Sequence, residues 1–148
     1  MKKYSKTLLA ALLSVSSLAS FAQMNDRRPQ LYSSRPQSIN IDKSIFGNVL
    51  DAVEGKEISI HLSEDFTFNG TVISNQKKYN SLHTVMVRSN ENATSIMQIT
   101  LIKENNNISY SGRIINSNAA DGYELKNNNG AYSLQKFETL KLLDPCKL

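Results

Sequence analysis

From Lys56 onward, apolar and polar residues take turns along the chain. Ile58, Ile60 and Leu62 alternate with Glu57, Ser59 and His61, the period of a strand with one buried face. Phe66, Phe68, Gly70 and Val72 resume the alternation after a turn at residues 63–65. Leu82 to Arg88 is rich in apolar and β-branched residues, and Met97, Ile99 and Leu101 alternate with Gln98 and Thr100. The run Asn105-Asn106-Asn107 signals a turn, because asparagine tolerates left-handed dihedrals. Ile108, Tyr110, Gly112 and Ile114 line one face of a further strand. Tyr123 and Leu125 open a hairpin whose turn is residues 127–130, with Tyr132 and Leu134 on the return arm.

Before this region the period is helical. Ile45, Val49, Leu50 and Val53 fall on one helical face, which predicts a helix over residues 42–54. Asp42 can cap its start and Gly55 can end it in a left-handed conformation, while Gly47 weakens it. The segment Ile96 to Ile102 is apolar on both faces, so its second face is expected to be covered by the helix.

The pattern predicts a mainly β protein. It is a single antiparallel meander of six or seven strands, a barrel or a sandwich, with one short N-terminal helix. Phe68, Val85, Ile99, Ile114, Tyr123 and Leu134 are the expected core, and Tyr110 and Tyr132 are expected to pack with it.

The first 22 residues carry a different pattern. Lys2, Lys3 and Lys6 precede an apolar stretch from Leu8 to Leu18, and Ser20-Phe21-Ala22 supplies small residues at signal-peptidase positions. The expected cut lies between Ala22 and Gln23. The apolar run is shorter than a membrane span and holds Ser14, Ser16 and Ser17. The expected organisation is a signal peptide at 1–22, a flexible polar leader at 23–40 and one β-rich domain at 41–148. The expected location is secreted or periplasmic, and the style of the signal resembles bacterial ones. No transmembrane segment is expected after cleavage.

Export changes the charge argument. The chain has 17 basic and 13 acidic residues, but three of the lysines lie in the signal. The mature part keeps 14 basic residues against 13 acidic ones, a net charge of +1. A nucleic-acid partner is therefore not expected, since such binders carry a basic patch on the folded domain. The local cluster Arg27, Arg28 and Arg35 falls in the expected leader.

Candidate chemistry is sparse. His61 and His83 are the only histidines, and His61 with Glu64 and Asp65 has none of the usual zinc-ligand spacings. There is no Gly-x-Ser-x-Gly elbow. Three Asn-x-Ser/Thr triplets, at Asn69, Asn92 and Asn107, match the glycosylation pattern, which matters only in a eukaryotic cell. No catalytic residue, metal or cofactor is expected. Cys146 is the lone cysteine, beyond the last strand in Asp-Pro-Cys-Lys-Leu. It is a candidate partner contact, either through an intermolecular disulfide or as a thiolate ligand to a protease zinc.

Four strand segments carry a resemblance. They are Phe-Asn-Gly-Thr-Val at 68–72, Thr-Val-Met-Val-Arg at 84–88, Tyr-Ser-Gly-Arg-Ile at 110–114 and Asp-Gly-Tyr-Glu-Leu at 121–125. In order and spacing they resemble the β-rich proregions that precede the catalytic domain of some secreted bacterial zinc metalloproteases. The resemblance spans about half the chain, which has no His-Glu-x-x-His. It implies a stand-alone relative of a proregion. The expected function is therefore an exported non-catalytic binding domain that restrains a secreted protease or binds another exported protein. The alternative is a structural or envelope-associated β protein without a soluble partner.

Overall fold

The computed structural model describes residues 27–105 and 107–139. Eight strands and one helix follow the order β1 (Ser38–Ile41), α1 (Ser44–Leu50), β2 (Glu57–Ser63), β3 (Phe66–Lys78), β4 (Leu82–Ser89), β5 (Ser95–Glu104), β6 (Asn107–Asn116), β7 (Asp121–Asn128) and β8 (Ala131–Glu138). All strands join one antiparallel sheet in the order β1-β8-β7-β6-β5-β4-β3-β2. The sheet curls into a half-barrel, and its edge strands β1 and β2 lie near each other without a shared ladder.

The alternation fixes which face turns inward. Phe66, Phe68 and Val72 of β3, Val85 and Val87 of β4, Met97 and Ile99 of β5, and Ile114 of β6 are buried on the concave side. Tyr123, Leu125, Tyr132 and Leu134 complete it from β7 and β8. All six residues expected in the core are buried. Tyr110 is half-buried and stacks on Phe46 at 4.3 Å between ring centres.

Four expectations need correction. The described residues form eight strands, because part of the supposed leader is β1. Ile39 and Ile41 pair with Leu134 and Tyr132 of β8; two apolar residues in a polar stretch are too short a signal to predict a strand. The rest of the described leader is also tied down, through Tyr32 and its neighbours. The helix is shorter than expected, ending at Leu50. Its buried face is Phe46, Val49 and Leu50, while Val53 is 64% exposed. It also packs on the concave side beside Met97 and Ile99, so it does not cover the second face of β5. Ile96 and Ile102 stay half-buried on the convex side.

One side chain explains where the helix stops. Asn75 of β3 donates both amide hydrogens to helix-end carbonyls, those of Leu50 at 3.1 Å and Ala52 at 2.7 Å. Its Oδ1 then accepts from His83 Nε2 at 2.7 Å. Helix ends leave carbonyls without intrahelical partners, and this asparagine satisfies two of them from outside. Gly55 adopts the expected left-handed φ of +82°, but in the loop leading into β2.

Candidate functional site

Antiparallel pairing gives the half-barrel two distinct ends. The turns β3–β4, β5–β6 and β7–β8 gather at one end, and β2–β3, β4–β5 and β6–β7 at the other. The second end is where residues 27–37 cross the molecule.

That crossing is anchored by Asp121, which is only 3% exposed. Its carboxylate accepts the backbone N–H of Leu31 at 2.7 Å and of Tyr32 at 2.9 Å. The Tyr32 ring meets Tyr123 edge-on at 5.4 Å, and the Tyr123 hydroxyl donates to the Pro36 carbonyl at 2.6 Å. Lys136 Nζ donates to the Arg35 carbonyl at 2.7 Å, and the Arg35 guanidinium lies over Phe66. Desolvation holds the phenols of Tyr32 and Tyr123 above their usual pKa, reinforced in both by the Asp121 charge. This latch, hidden in a polar sequence, contributes Arg28 to the edge of a cleft.

The cleft measures about 520 Å³. Its floor is apolar: Ile96 and Ile115, with Ala93 beside them. Register explains the floor, because Arg88, Ile96 and Ile115 form one row across β4, β5 and β6 on the convex face. Two guanidiniums edge it. Arg28 comes from the latch and donates to the Ser117 carbonyl at 3.1 Å and to Thr139 Oγ1 at 2.8 Å. Arg88 is the last residue but one of β4 and is exposed.

The loops around the cleft are held in place by hydrogen bonds. Asn92 Oδ1 accepts from the Thr94 N–H and hydroxyl, at 3.2 and 2.7 Å. One of the Asn-x-Thr triplets is thus an Asx turn shaping the cleft wall. Asn116 Nδ2 donates to buried Ser95 at 2.8 Å, and its Oδ1 accepts from the Asn118 N–H. The Ser117 N–H reaches the Thr94 carbonyl, joining the two loops.

The interior offers no comparable room. The space between helix and sheet is about 10 Å³ and is lined mainly by Ile41, Phe46, Met97 and Leu134. A small-molecule site needs hundreds of Å³. Among the described residues, no buried side-chain polar atom lacks a partner, and no group of three or more metal-ligating side chains gathers.

The candidates singled out in the sequence do not converge. His61 is exposed and bonds Thr67 Oγ1 at 3.0 Å; Glu64 and Asp65 sit exposed in the adjoining turn. His83 is engaged by Asn75 at the opposite end. Ala22, Gln23 and Cys146 lie outside the described residues. Sequence reasoning missed Arg88, Thr94, Asn116 and Thr139 as neighbours. The one available signal was Arg88 as a charge near the end of an apolar strand.

Comparison with known protein families, with curated proteins and with solved structures returned no match.

Proposed function

We propose that the protein is an exported, non-catalytic binding domain that restrains a secreted protease, and that the Arg28–Arg88 cleft receives the partner's chain. The observation that carries this reading is the filled concave side. With the barrel interior occupied by Phe46, Met97, Ile114 and Tyr123, recognition falls to the outer surface.

The cleft suits a polypeptide segment that sets an apolar side chain on Ile96 and Ile115 and a carboxylate beside the exposed Arg88 guanidinium. Arginine pairs with carboxylates in a planar, two-bond geometry. Two of the segments that resemble protease proregions also lead into this cleft: Arg88 ends one, and Ile115 follows the other.

Inhibition assays with the mature protein against the secreted proteases of its own source test this. Wild type should inhibit, and Arg88→Glu should weaken inhibition by at least about tenfold by reversing the charge at a carboxylate contact. Equal inhibition by the two forms, or none by wild type, would reject the reading. The alternative, an envelope-associated β protein, is favoured by one feature, the exposed tip at the far end of the sheet.

A further inference from the structure

Five described residues have positive φ: Gly55, Tyr79, Asn105, Asn129 and Gly130. All but Gly55 lie in the turns at the end opposite the cleft. Four of the five are glycine or asparagine, the residues that adopt this conformation readily. Tyr79, at φ +56°, is the exception, and its side chain is 90% exposed. A bulky residue in a disfavoured conformation, with its ring in solvent, does nothing for the fold. Such strain gathers at functional positions.

The surroundings of Tyr79 define a chemistry. It caps the β3–β4 hairpin directly after Lys77 and Lys78. The Lys103 N–H bonds the Ser81 carbonyl at 2.8 Å, which fixes the tip against the end of β5 and sets a third lysine beside it. Lys77, Tyr79, Leu82, Leu101 and Lys103 line a shallow basin of about 310 Å³. Ile108, the register partner of Lys103, is 57% exposed and extends the apolar rim. Nearby acids are Asp51, whose charge reaches His83, and Glu104, which alternation turns to the other face of β5. Lys77 and Lys78 also guard the outer edge of β3 where it runs past β2. That role accounts for the lysines but not for the ring.

We infer that this tip docks the protein on an anionic phospholipid surface. The aromatic ring sits at headgroup depth, and the lysines reach lipid phosphates with their stems along apolar material. A soluble anion would use the charges but leave Tyr79 and Ile108 without a role. The inference deepens the envelope reading and does not depend on the cleft.

The test is sedimentation of the mature protein with phosphatidylcholine vesicles, with and without phosphatidylglycerol. Binding should need the anionic lipid and fall as salt rises. Tyr79→Asn suits the left-handed turn and should stay folded, yet lose most of the binding. Lys77→Ser should weaken binding about fivefold, the equivalent of ~1 kcal/mol per lysine near the surface. Arg88→Glu should bind as wild type does; its loss of binding would move the contact to the cleft end and overturn the proposal. Equal binding by Tyr79→Asn, equal binding to neutral vesicles, or no binding would also overturn it. So would Tyr79-dependent binding of heparin matching that of the vesicles, which would mark a polyanion site instead.

Discussion

The backbone N–H of Tyr32 donates to Asp121 Oδ2 at 2.9 Å, across 89 residues of sequence. With Leu31 on the other oxygen, one buried carboxylate anchors the middle of the crossing segment. Asp121→Ala should cost about 2–3 kcal/mol, since hydrogen bonds to a charged acceptor are lost and a buried donor is stranded. The variant should also be cut by chymotrypsin after Tyr32, buried in wild type, much faster than wild type. Unchanged cleavage would show that the latch is held elsewhere.

Gly70 meets the β4 backbone so closely that a Cβ there would collide with the Arg88 carbonyl oxygen and the Val87 side chain. Gly70→Ala should destabilise by about 1–3 kcal/mol, because a backbone atom cannot yield as a flexible side chain can. Urea denaturation gives the figure directly, and a neutral result would mean that β3 and β4 can separate there without cost.

Much of this fold was legible in the alternation, and the reason is local. From Ile58 to Leu134 each strand pairs with its sequence neighbour, so a residue's face depends on the few residues around it. The latch and β1 depend instead on Asp121, Tyr123 and Leu134, which lie about ninety residues away. Nothing near Tyr32 or Ile39 announces those partners. The cleft was hidden for the same reason: Arg28 reads as part of a basic tail until Thr139 and Ser117 are seen to hold it.

His83 is held below the usual histidine pKa, chiefly by desolvation and further by Lys77, while Asp51 pulls the other way. Above about pH 6.5 the ring is neutral in both folded and unfolded chains and adds no pH dependence. As pH falls below that point the unfolded chain takes up the proton first, so stability declines until the folded-state pKa is passed. His83→Asn should flatten this part of the stability curve, measured by thermal unfolding at a series of pH values. A slope that survives the substitution would assign it to other groups.

Tyr79→Asn should raise stability by about 1 kcal/mol, by replacing a strained left-handed residue with one that tolerates the conformation. A gain in melting temperature would establish that the tyrosine is kept at a cost to the fold. A loss would mean that the ring makes contacts that matter to folding.

Export carries its own check. We expect the mature N-terminus to be Gln23, following cleavage after Ala22. Mass spectrometry of the exported protein reading an intact Met1 would remove the signal-peptide assignment.

The strand order β1-β8-β7-β6-β5-β4-β3-β2 is the chain order closed into a circle. On that circle β1 follows β8 as naturally as β8 follows β7, and the link from Ile41 to Glu57 spans from one sheet edge to the other. A circularly permuted chain, opened between Leu50 and Glu57 and joined from Thr139 to the latch, would read as a plain up-and-down meander with every ladder local. In the natural chain the β1–β8 pairing must instead close a loop of about ninety residues, whose entropic cost grows with length. The permutant should therefore fold faster while reaching the same curled sheet, because only the order in which strands find their neighbours has changed.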